Sequence, residues 1–127
     1  MDWVIIIIML ALLEYIFFSI QVGRARARFE VPAPATSGHP EFERYFRVHQ
    51  NTLEQLIIFI PAIVLYAHVG SAMLAAAAGV AFLVGRMVYF VGYVKDPKSR
   101  SIGFMIGFLA NAFLIIATLI GAVRNML

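Results

Sequence analysis

Between Arg44 and Gln55 the chain carries Arg44, Arg47, Asn51, Glu54 and Gln55, then runs directly into the apolar stretch LIIFIPAIVLYA. At about 100° per residue these positions fall along one narrow stripe of a helix. Ionisable groups on a helix entering lipid are costly and normally point into a bundle or a wet cavity, so the stripe is a candidate functional site. A second stripe follows in Arg86, Tyr89 and Tyr93, spaced i, i+3, i+7, with Arg100 just beyond it. Where the two stripes meet they would enclose guanidinium groups, an amide, two phenols and one carboxylate. Such a set suits a small zwitterion with several carboxylates and an ammonium. Guanidinium forks bind carboxylates two bonds at a time, and Glu54 takes the ammonium.

Elements that cross a membrane must position these residues. Of the 127 residues, 62% are hydrophobic and 13% charged, more apolar surface than a soluble domain of this size can hide. Four stretches are long enough to cross a hydrocarbon layer of about 30 Å as helices. They lie at about 3–22, 41–69, 73–94 and 102–123, all in one domain over 1–127. The first lacks a basic leader and a small-residue cleavage pattern, and reads as a retained helix rather than a signal peptide. The connection from Gly23 to Pro40 is proline-rich and reads as a loop, and PEFERYF restarts a helix that projects beyond the membrane. The turns near Gly70 and at KDPKSRS are short, so consecutive helices pack antiparallel. The expected fold is all-α: an up-down four-helix transmembrane bundle. Ala75 to Ala78, Gly79 and Gly85 permit close helix approach within it.

A net charge of +3 does not point to nucleic acid, because the basic residues are sorted by loop. Arg24, Arg26, Arg28, Arg44 and Arg47 lie in or beside the first connection, and Lys95, Lys98 and Arg100 in the third. Both connections share one side of the membrane, which the positive-inside rule makes cytoplasmic. The lean loops favour a bacterial inner membrane over a eukaryotic reticulum. The absence of cysteine excludes disulfides, thiolate metal sites and a cysteine nucleophile, so any thiol must be brought in. None of His39, His49 and His68 has metal-ligand spacing, and no metal is expected.

Each residue also has a plainer reading. The stripes could pair among themselves, although three arginines against one nearby carboxylate leave positive charge that wants an anion. Glu14 either pairs with Arg86 or sits protonated between helices. Pro61 reads as a tolerated membrane proline before a pocket-shaping one, and Tyr45, Tyr66 and Tyr89 also fit an interfacial belt. His49 lies off the stripe by more than a quarter turn, and is either solvated or turned to a neighbouring subunit.

The strings EFERYFRVHQNTLEQ, RMVYFVGY and DPKSRS, with YIFFSIQVGRARARFEV at the end of the first helix, resemble the MAPEG family. These are the membrane-associated proteins of eicosanoid and glutathione metabolism. The resemblance implies a homotrimer that binds glutathione, as co-substrate, between subunits near the cytoplasmic side. By motif position Arg47, Asn51, Glu54, Tyr89 and Tyr93 are its implied ligands from one subunit, with Arg86 beside them, and Arg26 and His49 come from the neighbour. Arg100 matches the arginine that stabilises the glutathione thiolate in conjugating members. Gln55 stands where the leukotriene-forming members carry an aromatic residue, so a phenolic contact to glutathione is replaced there by an amide or lost. Ala27 replaces the second arginine of a pair in those members, which puts a proton-donating role there in doubt.

The expectation is an integral membrane glutathione transferase or peroxidase, with Arg100 catalytic. A hydrophobic acceptor would reach it from the bilayer, between the apolar faces of the first and fourth helices. A non-catalytic lipid-binding scaffold of the same family is the alternative, against which Arg100 argues. A small transporter is a third reading, weakened by the absence of inverted repeats.

Overall fold

The computed structural model describes residues 1–127 and contains four long helices: α1 (Asp2–Phe29), α2 (Pro40–Val69), α3 (Ala72–Lys95) and α4 (Arg100–Met126). All four are long and apolar enough to cross a membrane. The all-helical expectation holds; most boundaries lie within three residues of those expected, and the end of α1 moves furthest. α1 continues through RARAR to Phe29 rather than stopping at Val22. Arginine and alanine are good helix formers, and Gly23 is an isolated interruption that a helix tolerates. The stop is a left-handed cap at Glu30 (φ 56), with the amides of Glu30 and Val31 both donating to the Arg26 carbonyl. Val31 then buries itself against Val22, Ala25 and Phe42, so the cap also docks the loop.

α2 opens on His39, whose Nδ1 accepts from the Glu41 amide at 3.1 Å, with Pro40 at the first helical position. Its other end turns at Gly70 and Ser71, where the Ser71 hydroxyl accepts from the Leu74 amide and starts α3. After α3, a single 3-10 turn at Pro97–Ser99, capped by Asp96 accepting from the Lys98 amide, delivers the chain to α4.

The core threads through the bundle as Val4, Ile7 and Ala11 of α1, Phe59 and Ile63 of α2, Phe82 of α3, and Leu114 of α4. Phe59 and Phe82 stack at 4.0 Å with ring planes 7° apart. The outside is as apolar as the inside. Trp3, Ile57 and Ile102 are each about 70% exposed, an arrangement stable only where lipid replaces water.

α3 and α4 touch more closely than side chains normally allow. A Cβ on Gly85 would stand 2.8 Å from the Gly107 amide nitrogen, and one on Gly103 would overlap the Tyr89 backbone. This contact fixes where Tyr89, Tyr93 and Arg100 stand relative to one another. Gly85, singled out from sequence for close approach, lies in it.

Candidate functional site

At the basic end of the bundle, α2, α3 and α4 enclose a cavity of about 430 Å³, walled by Arg47, Asn51, Tyr89, Tyr93 and Arg100. That volume lies within the range of small-molecule sites, roughly 300–1,000 Å³. The two stripes therefore do meet, and Tyr93 reaches the same cavity as Arg47 and Asn51. Arg47 and Arg100 are exposed side chains, and no carboxylate stands on the wall with them. Arg100 and Ser101 begin α4, whose first turn has no side-chain cap. The positive end of that helix dipole thus adds to the guanidiniums, and together they favour an anion.

The wall is held from behind. Arg86 is 1% exposed, donates from Nη1 to Asn51 Oδ1 at 2.7 Å, and lies 4.4 Å from the centroid of the Tyr89 ring. Tyr89 and Tyr93 stack at 5.5 Å with ring planes 4° apart. Asn51 Nδ2 donates to Glu54 Oε1 at 3.4 Å. With its carbonyl engaged by Arg86, Asn51 has only its amide N–H groups for a ligand or Glu54. Arg86 therefore orients the wall without lining the cavity, and Glu54 stands outside it, exposed, behind Asn51.

The remaining candidates lie elsewhere. Arg44 donates to the carbonyls of Val94 and Lys95 at 3.2 and 3.3 Å, tying α2 to the open end of α3 beside Tyr93. Arg26 donates to the Ala35 carbonyl at 2.7 Å and packs over the Phe42 ring at 4.9 Å, on its own loop. His49 stacks on Tyr15 of α1 at 4.4 Å, with its Nε2 buried and unpartnered. Neither Arg26 nor His49 reaches the cavity of its own chain. Glu14 has one carboxyl oxygen buried without a partner, so of its two readings the bond to Arg86 is not formed; Arg86 Nη1 is spent on Asn51.

Gln55, a candidate glutathione contact from the stripe, does not line this cavity. It accepts from Asn111 Nδ2 of α4 at 3.2 Å and lines an adjoining apolar groove that begins at Phe104. Ser101, Phe104 and Met105 complete the cavity wall, and sequence reasoning did not find them. Their only signal is spacing: they follow Arg100 on the first turns of α4, a helix whose apolar face was expected to line the acceptor's entry rather than this cavity. Asn111 was missed too, although an amide in the middle of a membrane helix is such a signal.

The model of the MAPEG family matches residues 4–120. The chain belongs to the MAPEG family. Among its relatives, microsomal glutathione S-transferase 2 of Homo sapiens is 39% identical over 106 residues, 84% of this chain and 70% of that protein. Leukotriene C4 synthase of Rattus norvegicus is 38% identical over 95 residues, 72% of this chain and 61% of that one. An uncharacterized protein of Synechocystis is 41% identical over 118 residues, 93% of this chain and 86% of its own length. As a MAPEG protein with four apolar helices, this is an integral membrane protein of a family with glutathione-using members.

Proposed function

We propose that this protein is a membrane glutathione transferase whose thiolate is generated in the Arg47–Arg100 cavity. The observation that carries the reading is the convergence of Arg47, Arg100, Asn51 and Tyr93 on one cavity with no carboxylate on its wall. Glutathione supplies two carboxylates for the guanidiniums, which the wall lacks, and an ammonium for Glu54, bonded to Asn51 outside that wall. Its relatives' names, a glutathione S-transferase and leukotriene C4 synthase, agree with that ligand.

A thiol ordinarily titrates near about pH 8.5 and is mostly protonated at neutral pH. The Arg100 guanidinium at the start of α4 lowers that value and raises the thiolate fraction. The thiolate sulfur then attacks an electrophilic carbon. With an aryl chloride, an S–C bond forms, the C–Cl bond breaks, and chloride leaves. With a hydroperoxide, two thiols give a disulfide, an alcohol and water. The presence of Arg100 on the cavity favours chemistry over a non-catalytic lipid-binding scaffold.

The protein works as a homotrimer in this proposal. Arg26 and His49, turned away from their own chain's cavity, complete the site of the adjacent subunit. The basic end lies in the cytoplasm of a bacterial inner membrane, and acceptors enter from the bilayer.

The test is glutathione conjugation of 1-chloro-2,4-dinitrobenzene by the purified protein in detergent. Wild type is expected to be active, and Arg100→Ala to lose about 100-fold or more in kcat/KM while still binding glutathione. Full activity in that variant would remove Arg100 from the chemistry. An inactive wild type would overturn the function.

A further inference from the structure

The polar cavity does not end at α4. At Phe104 it adjoins a groove of about 410 Å³ between α2 and α4, lined by Ile58, Phe108 and Ile115 among others. Ile58 and Ile115 also line a further apolar hollow of about 480 Å³ that passes Pro61 and Leu119. A channel of apolar wall thus leads from the thiol site down the bundle. Its polar side chains are the pair Gln55 and Asn111 and, deeper, Thr118, whose hydroxyl is spent on the Leu114 carbonyl at 2.6 Å.

The way that pair is bonded matters. Two carboxamides that only clamp helices together can exchange two reciprocal hydrogen bonds. Here they exchange one: Asn111 Nδ2 donates to Gln55 Oε1 at 3.2 Å, and Asn111 Oδ1 is buried without a partner. Asn111 is 3% exposed and fixed in the α2–α4 contact, whereas Gln55 is half-buried and lies on the groove. With its carbonyl held by Asn111, the Gln55 amide must turn its N–H₂ group away from that contact. An uncommitted N–H₂ group in an apolar wall at membrane depth calls for an acceptor oxygen.

We infer that Gln55, oriented by Asn111, selects acceptor substrates carrying a hydrogen-bond-accepting oxygen on an otherwise apolar body. The inference rests on the glutathione transferase reading and adds to it the class of acceptor. Gln55 lies four residues beyond Asn51 on α2, about 6 Å of helix rise deeper than the thiol cavity. The favoured acceptor therefore places its electrophilic carbon at the thiolate and a carbonyl or ether oxygen a short chain away, towards the middle of the bilayer. A purely apolar electrophile of the same length fits the groove but leaves the amide unanswered. Asn111 acts as a positioning residue, and Gln55 makes the contact.

The experiment compares two long-chain 2-enals that differ only in a mid-chain ketone, in place of a methylene, at the spacing given above. In both, the thiolate sulfur bonds to the β carbon, the C=C π bond opens, and the α carbon takes a proton from water. The readout is the ratio of kcat/KM for the two enals within each protein, so that losses common to both substrates cancel. Wild type is expected to favour the ketone about tenfold, the size of one well-made hydrogen bond. Gln55→Glu keeps an oxygen for Asn111 but removes the N–H₂ donor, and its ratio is expected to fall to one or below. Asn111→Leu releases Gln55 and is expected to reduce the preference, which separates orientation from contact. Equal ratios in wild type and Gln55→Glu, with conjugation intact, overturn the inference and leave the transferase reading standing. A wild type that conjugates neither enal nor chlorodinitrobenzene overturns both.

Discussion

Asn51 shows how one residue can serve both the fold and the site. Its carbonyl accepts the only hydrogen bond made by Arg86, a guanidinium 1% exposed, while its amide faces the cavity side with Glu54 beyond it. Replacing Asn51 by leucine takes away that guanidinium's hydrogen-bond acceptor and leaves it only the Tyr89 ring, which costs about 1–3 kcal/mol. Asn51→Leu is therefore expected to unfold at a markedly lower temperature in detergent. Arg47→Ala, by contrast, removes an exposed side chain, and its unfolding temperature should stay close to that of wild type. Its loss belongs to glutathione affinity, weakened about tenfold or more in a binding titration. Spacing showed that Arg47 and Asn51 share a stripe. It did not show that Arg86 sits behind the stripe rather than in the cavity, because depth along a helix radius is set by the neighbouring helix. The same limit hid Ser101, Phe104 and Met105, which become cavity walls only because α4 crosses α3 at that height.

The element that sets this crossing is the glycine contact between α3 and α4. A side chain at Gly103 meets the Tyr89 backbone, which has no rotamer to yield. Gly103→Val is expected to push the helices apart, lower stability by about 1–3 kcal/mol, and displace Tyr89, Tyr93 and Arg100 together. A fall in both the unfolding temperature and glutathione affinity would show the coupling. Unchanged affinity would place the site's rigidity elsewhere. The helices were legible in the sequence from their apolar lengths, and the turns from Gly70, Ser71 and Pro97. The end of α1 was not, because Gly23 and the proline-rich run read as one loop. The structure shows that the helix stops only where Glu30 turns left-handed and Val31 docks on Phe42.

For the whole molecule, one chain accounts for half of the proposed site. Arg26 spends its guanidinium on the Ala35 carbonyl, and His49 keeps its Nε2 buried against α1, both away from the cavity walls. If a neighbouring copy brings these residues, Arg47→Ala and His49→Ala proteins, each impaired at subsaturating glutathione, should complement each other when assayed there. Co-expression of equal amounts should restore about a quarter of the sites, because each needs an intact set from both contributing subunits. Mixtures no more active than either variant alone would confine the site to one subunit. The sequence pointed to the odd direction of His49 through its angle from the stripe, but no feature of a single chain specifies what lies beyond it.

The central claim is that this cavity converts bound glutathione to its thiolate through Arg100. It is tested most directly by the ultraviolet difference absorbance of the thiolate as glutathione is added to the purified protein at neutral pH. Wild type is predicted to develop the thiolate band to saturation, and Arg100→Ala to bind glutathione with little or no band. An equal band in both proteins, or none in wild type at saturating glutathione, would contradict the account.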